Sequence, residues 1–188
     1  MVFAKLVSRG AKSGYTLVEV LVVVIIMGVL SAMGVASLQG AVANARVKDA
    51  AINTAAFLER VAMEARKQSA ELCLVRAPGD STKLLVYKSD ESTSYCHGTV
   101  LDSFVIESPN KFVNLKDCGL VTSDWIGTNP AIFEPRRGLS AAPLEGAVCI
   151  RYGSKESDRF GAAHKLKQVN GIKAQWKVGS GSSGWMDL

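Results

Sequence analysis

The chain has 188 residues, 48% hydrophobic and 21% charged, with 22 Lys and Arg against 17 Asp and Glu. That much apolar surface excludes a disordered polypeptide, and a single long apolar run excludes a many-span membrane protein. The length suits one domain, and with about 45 residues committed to a leader and that run, a doubly wound enzyme would be cramped.

The formal net charge of +5 is weighted to the N-terminus. Lys5, Arg9 and Lys12 precede the run in a segment without acids, and without them 19 basic and 17 acidic residues remain. The pI near 9.1 therefore owes much to the leader. From Val20 to Ala45 no residue is charged, and Val20 to Leu38 is almost wholly apolar. As a helix rising about 1.5 Å per residue, Tyr15 to Leu38 is roughly 36 Å long, enough for a bilayer core of about 30 Å. Basic residues before the run and none just after it predict a cytoplasmic N-terminus. An ordinary secretory signal, cut at Ala41-Val42-Ala43 or Ala43-Asn44-Ala45, fits less well. Its apolar core would be about 7 to 15 residues, shorter than this run, and Glu19 sits just inside the start.

Glu19 is the most informative residue. A carboxylate in a membrane helix costs about 2 to 3 kcal/mol at the centre and less near the interface, so it needs either headgroups to snorkel to or a partner. Its surroundings favour the partner. Ser13-Gly14-Tyr15-Thr16-Leu17-Val18-Glu19, after a short basic leader and before the apolar run, resembles the type IV prepilin signal. The resemblance implies that a prepilin peptidase of the membrane cuts between Gly14 and Tyr15 on the cytoplasmic side and methylates the new N-terminus. Residues 1–14 are then a leader, and Tyr15 stands where phenylalanine is commonest in that family. Gly14 allows the extended backbone a protease needs, and the retained helix remains an anchor.

Beyond Leu38 the pattern turns amphipathic. Val47, Ala51, Ala55, Leu58, Ala62 and Ala65 recur at spacings of three and four, with charges largely on other faces and Arg60 and Glu64 as an i,i+4 pair. With no proline before Pro78, one helix is predicted over 15–70, roughly 80 Å long at about 1.5 Å per residue, with 15–38 in lipid. Gly28, Gly34 and Gly40 are places where it could loosen.

The period then shortens. Strands are predicted at Leu72 to Arg76, Lys83 to Lys88, Leu101 to Glu107, Phe112 to Leu115, Ala131 to Glu134, Ala147 to Tyr152, Lys165 to Val169 and Ile172 to Val178. Pro78-Gly79-Asp80, Ser108-Pro109-Asn110, Thr128-Asn129-Pro130 and Asn170-Gly171 separate them, the last being the strongest hairpin signal. Gly179 to Gly184 reads as a flexible turn, after which Trp185 could tuck back onto the domain. The expected fold is therefore α+β and pilin-like, a long N-terminal helix packed on an antiparallel β-sheet domain over 71–188.

Catalytic patterns are missing. His97 and His164 lie in no metal or triad motif and read as lone surface histidines. No P-loop, dinucleotide fingerprint or calcium loop is present, so no enzyme, cofactor or metal is expected. Cys73, Cys96, Cys118 and Cys149 lack CxxC spacing, and in an exported domain they suggest two disulfides, with three pairings open; buried free thiols are the alternative. Arg136 to Lys177 holds nine basic residues against three acids, whereas Tyr15 to Pro135 is net −3. A solvated strand face explains this plainly, and a DNA-binding edge built from Lys165, Lys167, Lys173 and Lys177 is the sharper alternative.

Phe133-Glu134-Pro135-Arg136-Arg137-Gly138 followed by Ala147-Val148-Cys149-Ile150 also resembles the C-terminal region of H-type minor pseudopilins, with one extra residue before the glycine. The resemblance implies a minor pilin or pseudopilin of a type II secretion or type IV pilus system. Its partners would be other pilin subunits, the prepilin peptidase and the bacterial inner membrane, with the C-terminal domain periplasmic until the subunit is extracted into a fibre. Glu19 would pair with the methylated amine of Tyr15 on a neighbour, near the fibre tip or during initiation. A DNA-binding minor pilin for DNA uptake is the alternative.

Overall fold

A computed structural model describes residues 14–88, 96–127, 130–136, 145–153, 159–165, 171–179 and 181–188. Contacts divide the chain into two compact units, Met1–Gly40 and Ala41–Leu188. The helix α1 (Leu17–Gln68) begins in the first and ends in the second.

In the first unit every residue from 14 to 35 is exposed, including 17 to 30, where Val, Leu, Ile and Met predominate. Such a segment buries none of its apolar side chains among the described residues, and it is long and apolar enough to cross a membrane.

In the second unit the same helix becomes one-sided. Ala43, Val47, Ala50, Ala51, Thr54, Ala55, Leu58, Val61 and Ala65 are buried, the spacing of three and four that places side chains on one stripe. Thr54 keeps its hydroxyl satisfied in that stripe by donating to the Ala50 carbonyl at 2.7 Å. The helix ends at Gln68, two residues before the expected Ala70. Ser69 turns left-handed (φ 50°), its N–H donates to the Arg66 carbonyl, and Ala70 N–H donates to that of Ala65. These are the two bonds of a Schellman ending, with serine where glycine is usual.

Two antiparallel sheets follow. The first has the order β3-β2-β1-β5, from β1 (Leu72–Arg76), β2 (Lys83–Lys88), β3 (Val100–Val105) and β5 (Ile132–Phe133). The second has the order β4-β6-β7-β8-β9, from β4 (Asn110–Val113), β6 (Gly146–Tyr152), β7 (Arg159–Lys165), β8 (Lys173–Val178) and β9 (Met186–Asp187). The architecture is thus α+β and pilin-like, as expected, although the strands form two sheets. A short helix α2 (Leu115–Cys118) starts where a strand was expected to end.

One strand was not anticipated. Lys165 to Val169 was expected, but β7 is Arg159–Lys165, and 166–169 lie outside the described residues together with Asn170 of the anticipated turn. The reason is visible at Gly161 and Ala163. A Cβ on Gly161 would stand 2.9 Å from the Val47 carbonyl oxygen and 3.0 Å from the Ala51 Cβ. The helix crosses so closely that only small residues fit, and small residues are weak strand formers.

The central strands of the second sheet, β6 and β7, are buried on both faces. Val148 and Ile150 of β6 join the core beneath α1, with Leu58, Phe112, Trp125 and Ala163. Their neighbours Ala147 and Cys149 face a smaller core with Val113, Leu115, Cys118 and Phe160, against which Leu120 and Trp185 pack. Trp185 therefore does fold back.

Candidate processing and assembly site

Gly14, Tyr15 and Thr16 precede the helix in non-helical conformation and are exposed, Tyr15 at 85%. A Cβ at Gly14 would touch nothing within 4 Å, so the Gly14–Tyr15 peptide bond stands open.

Helix α1 then starts in a definite way. Thr16 is the N-cap, and Glu19 is the third helical residue. The Glu19 N–H donates to Thr16 Oγ1 at 3.2 Å, while Glu19 Oε2 accepts from the Thr16 N–H at 3.1 Å and from its hydroxyl at 3.2 Å. This reciprocal capping box satisfies two N–H groups that the helix itself cannot. It also holds the carboxylate at the positive end of the helix dipole. Within its own chain Glu19 thus has a partner one helical turn away, on the side of the Gly14–Tyr15 bond. Thr16 was not foreseen as a site residue, although Thr16-Leu17-Val18-Glu19 reads as a capping box in the sequence.

The four cysteines pair as Cys73–Cys96 and Cys118–Cys149, with Cα separations of 5.5 and 6.5 Å, both within the range a disulfide spans. The second links α2 to β6 inside the smaller core, and neither cysteine is exposed there.

The lysines of the proposed basic edge separate. Lys177 is fully buried; its ammonium donates to the carbonyls of Cys118 and Gly181 and lies near the Phe160 and Trp185 rings. Burial pulls its pKa down. Lys173 reaches Asp187 at 3.7 Å, Lys165 is half-buried, and Lys167 lies outside the described residues. The alternation that should have aligned Lys173 and Lys177 does put both on one face of β8, but α2 and the chain after β8 cover the second of them.

His164 is not a surface histidine. It lies 7% exposed on β7 with Nε2 unpartnered, and burial is the first cause pulling its pKa below 6.5, followed by the opposing carboxylate of Asp187 and the reinforcing charge of Lys173. Among the described residues no group of three or more His, Cys, Asp or Glu side chains could hold a metal.

Residues 9–35 match the family model described as the prokaryotic N-terminal methylation motif, a type IV pilin-like signal. No curated protein and no solved structure matches the chain. The motif indicates a structural subunit of the type IV pilin-like kind, not an enzyme.

Proposed function

We propose that this pilin-like subunit is a minor pilin or pseudopilin of a type II secretion or type IV pilus system. The observation that carries the reading is the coincidence of the matched motif with an open Gly14–Tyr15 bond immediately before a capped helix whose apolar first part, residues 17–35, is exposed. The prepilin peptidase removes residues 1–14 and methylates Tyr15. Residues 15–38 anchor the product in the bacterial inner membrane, with the C-terminal domain periplasmic until a fibre draws the subunit out. Two disulfides suit an oxidising compartment.

In the fibre, apolar helices pack side by side, and the Glu19 carboxylate exchanges its own cap for the methylated amine of Tyr15 on a neighbour. Neither charge is then buried alone. The H-type resemblance around Phe133 to Gly138 supports a place at the tip or in initiation. Phe133 is a fully buried residue of β5 paired with Leu72 of β1, and Arg137 and Gly138 lie outside the described residues. The DNA-uptake alternative loses its main support with Lys177 buried and Lys173 beside Asp187.

The test combines mass spectrometry and assembly. The membrane-extracted protein should begin at methylated Tyr15, and Gly14→Val should stay uncut. Glu19→Leu should still insert while its incorporation into fibres collapses. A mature start at Asn44 or Arg46 would overturn the assignment.

A further inference from the structure

One cross-strand row of the second sheet carries three cations and no acid. Lys111 of β4 stands directly opposite Arg151 of β6, Arg151 opposite Phe160 of β7, and Phe160 opposite Lys177 of β8. Val113, Cys149 and Phe160 belong to the smaller core, and strand residues two apart share a face, so Lys111 and Arg151 leave the sheet on that side, at the rim of that core. Like charges directly opposite each other destabilise a sheet. Nothing among the described residues offsets these two: the ion pairs there are Arg60–Asp102, Lys67–Glu64 and Lys173–Asp187, and neither cation enters one. Arg151 Nε is moreover buried with no hydrogen-bond partner among the described residues, while the side chain as a whole is half-buried and Lys111 is exposed.

We propose that Lys111 and Arg151 form a receptor for a single carboxylate, an Asp or Glu side chain presented by a neighbouring subunit of the fibre. The proposal rests on the reading of the chain as a fibre subunit and adds to it the chemistry of one contact. Directly opposed strand residues have Cβ atoms about 4.5 to 5.5 Å apart, so an ammonium and a guanidinium on these stems can close on the same pair of oxygens. The arginine fork meets a carboxylate in two parallel bonds, and the lysine adds a point charge. With Nε sealed in, the guanidinium charge is balanced from outside, through the terminal nitrogens. The third cation of the row, Lys177, is fully buried near the Phe160 ring and adds positive field without offering a contact. A nucleic-acid backbone draws its affinity from a run of accessible cations. This row offers two, and elsewhere on the sheet Arg159 is engaged by Asn44 and Lys173 by Asp187. A lone side-chain anion fits two cations better than a polyanion does.

The test treats isolated fibres carrying the full chain with a water-soluble carbodiimide, which condenses a carboxylate with an amine in contact and takes up the water lost. The products are mapped by mass spectrometry. An amide should join Lys111 Nζ to an Asp or Glu of a second chain. Arg151→Gln should lower its yield about fivefold, the worth of one well-placed ion pair, and Arg151→Lys should recover most of it. Fibres in which Lys111 couples to no second chain, or in which the Gln and Lys variants give equal yields, overturn the receptor and leave the fibre reading intact. Coupling of Lys111 to an acid of its own chain would show the charge balanced internally and overturn the receptor too. With the full chain in detergent, a glutamate-rich peptide should slow phenylglyoxal modification of Arg151. Slowing by inorganic phosphate or duplex DNA instead overturns the carboxylate assignment. A chain that begins at Tyr15 yet is absent from fibres overturns the fibre reading, and the receptor with it.

Discussion

The two parts of helix α1 share one secondary structure and differ in what sustains it. Residues 17–35 are apolar on nearly every side and exposed, whereas residues 41–68 bury one stripe and leave charges on the rest. A helix in water draws most of its stability from packing, so the first part needs lipid or other helices around it, and the second carries its environment with it. Helical periodicity alone would have treated them alike. The distribution of charge around the helix tells them apart.

Truncating equivalent leucines should expose the contrast most strongly. Leu58 is fully buried beneath the sheets, and Leu58→Ala should cost the domain about 2 to 5 kcal/mol. Leu30 is 64% exposed, and Leu30→Ala should leave domain unfolding in urea unchanged. Equal losses would mean that the first part also supports the domain. A similar loss, about 2 to 4 kcal/mol, is expected when Cys118 and Cys149 are both replaced by Ser. The first part of α1 should keep its helical amide protection in detergent under that change.

A smaller effect separates the two parts by pH. His164 has a folded pKa below 6.5, so below 6.5 the unfolded chain takes up a proton that the fold resists. Stability conferred above that point is therefore lost as pH falls from 6.5 toward the folded value. Urea midpoints should decline over that window, before the carboxylates of Asp80 and Asp187, whose pKa values are pulled below 3.8 by hydrogen bonds from Thr82 and from Gln175 respectively, begin to protonate. His164→Phe should flatten the decline.

The least disruptive changes act at the helix ends. Thr16→Val removes the hydroxyl that caps the start and should cost about 1 kcal/mol, read as faster amide exchange over the first turn. Ser69→Gly relieves a left-handed serine and should stabilise the domain by up to about 1 kcal/mol.

The same contrast governs what could be read from sequence. Glu19 was legible because a charge inside an apolar run has few explanations, whereas its partner Thr16 is an ordinary polar residue whose capping role shows only once the helix start is fixed. β1 and β2 were placed correctly, since Leu72 to Arg76 and Lys83 to Lys88 are bounded by turn residues. β7 was not anticipated, because Gly161 and Ala163 are chosen by the approach of α1, a contact across more than a hundred residues that no local window contains. His164 and Lys177 looked solvated for a related reason: polar residues are judged by type until the covering element is known. Three disulfide pairings were open because the choice depends on α2 lying beside β6, and α2 is only four residues long.

The glycine beneath the helix also sets a direction. With the Val47 carbonyl and the Ala51 methyl against Gly161, the helical part of the domain is keyed in rotation as well as in distance. Rolling it by one residue, about 100°, would drive Lys48 or Ile52 into a space too small for an added methyl. The compass bearing of the opposite side, where Ile52, Ala56, Glu59 and Met63 are exposed, is therefore set by a side chain that does not exist. A bulkier residue at 161 would turn that outward face away from any neighbour that meets it without altering a single atom of its chemistry.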